Sequence, residues 1–196
     1  MSGHLLLASA SPRRRELLAQ LGVSFRVVAV DIDESPLPGE APRDLVLRLA
    51  CGKAERALAD SETGQWVLGA DTVVAVGKQI LGKPADAAEA AAMLERLSGR
   101  AHTVHSGLAL ARSGFATRVA AVRTRVWMRD IAADEIAAYL ATGEPLGKAG
   151  AYAIQGRAAA FVRCLAGSFS NVVGLPLFEL DAMLREIPDP PERMIG

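Results

Sequence analysis

The sequence predicts an α/β fold, a mixed β-sheet with flanking helices, and three observations carry that reading. Short apolar strand candidates and helix patterns interleave along nearly the whole chain, yet without the strict β-α-β regularity of an all-parallel sheet. Hydrophobic residues make up 51% and charged residues 22%, which is enough apolar surface to build a core and excludes wholesale disorder. A length of 196 residues suits one domain or a bilobed one and excludes a large multidomain machine. Lys and Arg number 22 against 22 Asp and Glu, so no global field draws the chain toward nucleic acid or an anionic membrane, and any binding of anions must be local.

The elements follow in order. "HLLLAS" is a short apolar strand. Ser11 and Pro12 then supply an N-cap and a first helical residue, and Leu17, Leu18 and Leu21 recur at helical spacing before Gly22. "SFRVVAV" is a second strand, and Pro42 to Ala59 a helix with Leu45, Leu49 and Ala50 on one face. "WVLGADTVVAV" is a long buried strand, which a turn over Val76 to Gln79 folds back into "ILGKP". Asp86 caps the helix "AAEAAAMLERL", and Gly99 ends it. "HTVHSGLALAR" and the alternating "TRVAAVRTRVWMRDI" are strands, and "ADEIAAYLATG" is a short helix closed by Gly143. "GKAGAYAIQG" is too rich in glycine for a regular element. "FVRCLAGSF" and "NVVGLPLFELDAMLREI" supply a strand, a loop and a last helix. One domain is expected over residues 1–187, followed by a loose proline-rich tail over 188–196.

Several segments point to chemistry. In "ASASPRRREL", Arg13, Arg14 and Arg15 crowd the first turn of a helix, where free N–H groups and a partial positive charge favour Asp and Glu. That placement costs roughly several tenths of a kcal/mol per residue, and a bound phosphate reverses the sign of every contribution. A solvated basic surface explains one arginine there easily, but makes a cluster directly after a Ser-Pro cap a coincidence.

Asp71 lies in the middle of an apolar strand, where a carboxylate must be paired, protonated or bound to a metal, unless the strand end opens to solvent. "DIDES" gathers Asp31, Asp33 and Glu34, hard oxygen ligands suited to Mg²⁺ or Mn²⁺ but equally ordinary in an acidic turn. "GKQILGKP" nearly matches a phosphate-binding loop through Gly77, Gly82 and Lys83. It fails at Pro84, which has no hydroxyl and bars Lys83 from the helical conformation that motif requires. His102 and His105 would face opposite sides of a strand and so do not share a ligand. Cys51 and Cys164 are too few for a disulfide framework, which suits a reducing cytoplasm. No stretch approaches the roughly 20 apolar residues of a membrane helix, and Leu5 to Ala8 is too short for a signal segment.

Taken together, S-x-S-P-R-R near the N-terminus, "DIDE", "GADTVV", "LGKP", "LSGR" with "HTVHSGLAL", "KAGAY-x-IQG" and "NVVGLP" resemble the Maf family of nucleoside triphosphate pyrophosphatases, in matching order from Leu5 to about Leu184. The resemblance implies an inosine triphosphate pyrophosphatase-like fold of two lobes around a cleft, often a homodimer. It also implies hydrolysis of a nucleotide to its monophosphate and pyrophosphate with a divalent cation, Mg²⁺ or Mn²⁺. The implied catalytic residue is Asp71. Phosphate handling falls on Ser9, Arg13, Arg14, Lys53 and Lys83, and the acidic metal-side residue is Glu34. Arg13, Thr72 and Gln155 match the branch acting on dTTP and UTP, a housecleaning of the nucleotide pool. That branch reads D-K-A-G-A-Y where this chain has Gly147. A non-catalytic nucleotide-binding regulator, suggested by the family's link to septum formation, and an enzyme acting at the terminal phosphate are the rival classes.

Overall fold

The computed structural model describes residues 4–62 and 64–193. Its strands are β1 (Leu5–Ala8), β2 (Phe25–Val28), β3 (Val67–Val76), β4 (Gln79–Leu81), β5 (Ala101–Ala111), β6 (Arg118–Met128) and β7 (Val162–Ala166). The helices are α1 (Pro12–Ala19), α2 (Pro42–Ala59), α3 (Ala87–Leu97), α4 (Ala133–Leu140), α5 (Phe169–Val173) and α6 (Leu177–Glu186), with two 3₁₀ turns at Ala149–Ala151 and Arg157–Phe161. The sheet runs β2-β1-β3-β5-β6-β7, with β4 paired to β3. It is mixed, as the sequence predicts: β1 lies parallel to β2 and β3, whereas β3–β4 and β6–β7 are antiparallel. The Gly77–Lys78 turn brings Val76 opposite Gln79, so the phosphate-loop lookalike is a hairpin.

By internal contacts the chain divides into two compact units. Unit 1 comprises Met1–Asp71, Ser106–Val122 and Gly174–Gly196; unit 2 comprises Thr72–His105 and Arg123–Val173.

In unit 1 small residues let α2 lie almost on the strands. Leu6, Ala8, Ala50, Ala54, Ala57, Val67, Ala109 and Ala111 form one buried cluster. A Cβ added to Gly69 would stand 2.0 Å from the Ala50 carbonyl oxygen, and one on Gly107 would stand 2.2 Å from that of Val46. Only glycine permits so close an approach of helix backbone to strand. Gly69 and Asp71 are two residues apart on β3 and therefore share the face that α2 covers. Lys53, beside Ala54, is thereby delivered to Asp71.

In unit 2, Ser168 caps α5, its Oγ accepting the Asn171 N–H at 3.2 Å. The sequence predicts a loop here, because five residues are too few to display a helical period. The expected strand also stops at Ala166, since Gly167 turns the chain at φ +128°.

The segment expected as a tail makes definite contacts as far as it is described. Trp66 Nε1 donates to the Pro188 carbonyl at 3.1 Å, and the Ser24 N–H donates to the Glu192 carbonyl at 2.9 Å. Arg112 meets Asp189 at 3.2 Å. Residues 194–196 of that tail lie outside the described residues.

Candidate active site

The turn after β1 is built around Ser9. Ser11 adopts the extended backbone of an N-cap and its hydroxyl accepts the Arg14 N–H, with Pro12 in the first helical position. Ser9 is buried, and its Oγ accepts both the Ser11 N–H at 3.2 Å and Arg14 Nη1 at 3.3 Å. Arg14 Nε donates to the Gly174 carbonyl at 2.9 Å, so the guanidinium is drawn inward from the helix start. Burial pulls its pKa down, while the negative charges of Asp71 and Glu34 push it back up and Arg13 pulls it lower again. Arg13 is half-buried, and its pKa is likewise lowered by burial, with Glu16 opposing. Arg15 points to solvent.

The centre of the site is an ammonium held between two carboxylates. Lys53 Nζ lies 2.6 Å from Asp71 Oδ1 and 2.6 Å from Glu34 Oε1. Lys53 and Asp71 are 6% and 5% exposed, whereas the Glu34 side chain, on the irregular segment before α2, is 40% exposed. Of the states open to Asp71 from its place in an apolar strand, the structure shows the paired one. Its side chain is buried well inside β3 rather than at a solvated strand end. Asp31 and Asp33 are exposed, and Asp33 Oδ1 accepts the Ser35 N–H at 2.9 Å, the local turn bond expected of an acidic loop.

Ser9, Arg14, Glu34, Lys53 and Asp71 therefore belong to one charged group in unit 1. Thr72, half-buried, follows Asp71 as the first residue of unit 2, where Lys83 and Gln155 are exposed on loops. Those loops are tied by the Gly150 N–H, which donates to the Gly82 carbonyl at 3.0 Å. Gly150 is required there: its φ is +68°, and a Cβ would meet Val74 Cγ2 at 2.9 Å. A second anchor is Glu144, whose carboxylate accepts the Tyr139 hydroxyl at 2.8 Å and the Arg157 N–H at 3.1 Å. His102 and His105 have separate partners, the Tyr152 hydroxyl and Thr103 Oγ1.

A family model described as Maf-like protein matches residues 4–187. The chain belongs to the Maf family. It is 57% identical over 180 residues to a dTTP/UTP pyrophosphatase of Myxococcus xanthus, covering 92% of this chain and 90% of that one. It is 56% identical over 185 residues to a dTTP/UTP pyrophosphatase of Sphingopyxis alaskensis, covering 93% and 96%. Among solved structures, the Staphylococcus aureus Ham1 protein matches at a TM-score of 0.44 and 14% identity, over 65% of this chain and 73% of that one, a likeness too remote to bear on chemistry.

Among the described residues of this Maf chain, no three His, Cys, Asp or Glu side chains gather so as to hold a metal ion by themselves. Glu34 and Asp71 nevertheless converge on a single cationic point, now the Lys53 ammonium. Hard carboxylate oxygens in this number suit Mg²⁺ or Mn²⁺, which are usually held by one or two carboxylates together with substrate phosphates and water. The donor set thus fits a divalent cation that arrives with a phosphate-bearing ligand.

Lys53 is the member of the charged group that residue pattern alone passes over, and a signal for it exists. The buried stripe of α2 runs Leu45, Val46, Leu49, Ala50, Lys53, Ala54, Ala57, so a lysine stands in a position the helix otherwise reserves for apolar side chains.

Proposed function

We propose that this Maf chain is a metal-dependent nucleoside triphosphate pyrophosphatase that hydrolyses dTTP and UTP to the nucleoside monophosphate and pyrophosphate. The observation that carries the reading is the buried ammonium of Lys53 between Asp71 and Glu34, with Arg14 close enough for both carboxylates to act on its charge. Two relatives at 56–57% identity are named dTTP/UTP pyrophosphatase, which supports the same substrates.

Water attacks the α-phosphorus, the bond from that phosphorus to the bridging oxygen breaks, and pyrophosphate leaves with the electron pair. Asp71 orients the water and accepts its proton. Arg13, Arg14 and Lys53 offset the charge that grows on the leaving pyrophosphate, while Ser9 fixes the Arg14 fork. Glu34 and Asp71 would hold the Mg²⁺ or Mn²⁺, which supplies Lewis-acid charge at the phosphates. A homodimer working in the cytoplasm, apart from nucleic acid and membranes, completes the reading. The balanced charge supports only the part about nucleic acid and anionic membranes; among the described residues no helix is long and apolar enough to cross a membrane.

The test is product analysis after incubation with dTTP, UTP, CTP or 7-methyl-GTP and Mg²⁺ or Mn²⁺. Pyrophosphate with dTMP or UMP is expected. Orthophosphate, or no reaction with any of the four, overturns the assignment.

A further inference from the structure

Glu34 is the exposed member of the charged group, and it rides on a segment that cannot hold itself in place. Residues 29–41, between β2 and α2, contain no helix or strand, and most of their side chains face water. Burial therefore contributes little to their position, and an unfastened loop of this length would sample many conformations.

Val30 packs its start against the buried cluster, and two contacts with α2 flank Glu34 itself, one on each side. Before Glu34, Ile32 rests over Gly52: a Cβ at Gly52 would meet Ile32 Cδ1 at 3.4 Å. After Glu34, Arg48 reaches out from the helix. Its Nε donates to Glu40 Oε1 at 2.7 Å and its Nη2 to Glu40 Oε2 at 2.8 Å, a bidentate pair. The same Nη2 donates to the carbonyl of Ser35, the residue next to Glu34, at 3.0 Å. Glu40 Oε2 also accepts the Leu37 N–H at 2.9 Å, closing the turn at Pro38 and Gly39. The Glu40 side chain is largely covered, so this pair is stiffer and less screened than an ordinary surface ion pair.

We infer that Arg48 and Glu40 are positioning residues: their bidentate pair pins the acidic loop to α2 so that Glu34 stays against Lys53, and through it beside Asp71. Arg48 and Lys53 lie on one rigid helix, so the pair sets Glu34 in the same frame as the ammonium it must meet. Lysine cannot replace Arg48, because a point charge cannot hold Glu40 in two places and grip the Ser35 carbonyl as well. The inference rests on the proposed pyrophosphatase activity for its kinetic consequence only. Its structural part stands apart from that reading.

The test compares Arg48→Lys and Glu40→Gln with the unaltered protein. Amide hydrogen exchange across residues 31–40 should quicken in both variants, while exchange in β3 and α3 stays as it was. Turnover of dTTP at saturating substrate should fall about tenfold, because a displacement of roughly an ångström at a reacting centre is enough for such losses. The decisive comparison places Arg48→Lys in a Glu34→Gln background: there it should cause no further loss of turnover, since the residue it positions is already disabled. Independent, multiplying losses would overturn the inference, as would unchanged exchange in the loop. If the unaltered protein releases no pyrophosphate, the functional proposal fails, and the exchange measurement still decides the positioning role. Should Arg48→Lys not fold, Glu40→Gln carries the same comparisons.

Discussion

Lys53 in unit 1 and His102 in unit 2 are both nearly inaccessible, at 6% and 2% exposed, but they are stabilised in opposite ways. His102 is neutral and meets the Tyr152 hydroxyl at 2.8 Å. Nearby in unit 2, Asn171 Nδ2 donates to the Val104 carbonyl at 3.1 Å and to Thr124 Oγ1 at 2.9 Å, and the Thr124 hydroxyl donates to the Ser168 carbonyl at 3.1 Å. Neutral groups cost less to bury than charges, even with His102 Nδ1 left without a hydrogen-bond partner, and here the bonded ones fix the start of α5 to β5 and β6. Lys53 is instead half of a buried ion pair, where desolvation offsets most of the attraction and an apolar replacement is often as stable. Unit 2 therefore uses its buried polarity to hold the fold, whereas unit 1 keeps charge in a place that stability does not require.

That contrast can be broken by experiment, beginning with Lys53→Met. The variant leaves the Asp71 carboxylate buried without its ammonium and should lose about 3–5 kcal/mol of stability in urea unfolding. Adding Asp71→Asn should recover most of that loss without recovering turnover. A double variant as unstable as the single one would mean that the pair holds the fold after all.

Next in size is the pH response of unit 2. Burial lowers the pKa of His102 from 6.5 to about 4. The unfolded chain takes up this proton near pH 6.5 and the folded chain only near pH 4. The contribution is therefore whole above pH 6.5 and fades as pH falls toward 4, by about 3 kcal/mol in all. Denaturant unfolding at pH 7 and pH 4.5 should show the decline, and His102→Gln should flatten it. An equal decline in both proteins would remove His102 from the account.

Much of this was legible in the sequence, and the limits are physical. The strand, cap and arginine cluster of Ser9 to Arg15 are local signals, and the turn forms as they predict. Asp71 announced a partner by standing among aliphatic neighbours, but nothing local could name that partner. Lys53 is 18 residues away and reaches Asp71 only because Gly69 lets α2 settle on β3. The grip of Arg48 on Glu40 has no local signal either, since nothing along the chain pairs the two until the loop folds back on the helix. The short α5 escaped because its stability comes from Ser168 and Asn171 rather than from any repeat along its own length.

The smallest expected effect concerns Gly147, where the resembling branch carries Asp. The backbone is left-handed there, φ +71°, with nothing within 4 Å of an added Cβ. Asp is among the L residues that accept this region, so Gly147→Asp should shift stability by no more than about 1 kcal/mol. A larger fall in the urea midpoint would show the loop to be more tightly held than its open surroundings indicate.

The most direct test of the central claim is Asp71→Asn, with pyrophosphate release from dTTP and binding of dTTP measured side by side. The account predicts that release falls about a thousandfold or more while affinity changes by less than about tenfold, because the cations that hold the phosphates remain. Release at the rate of the unaltered protein would contradict it.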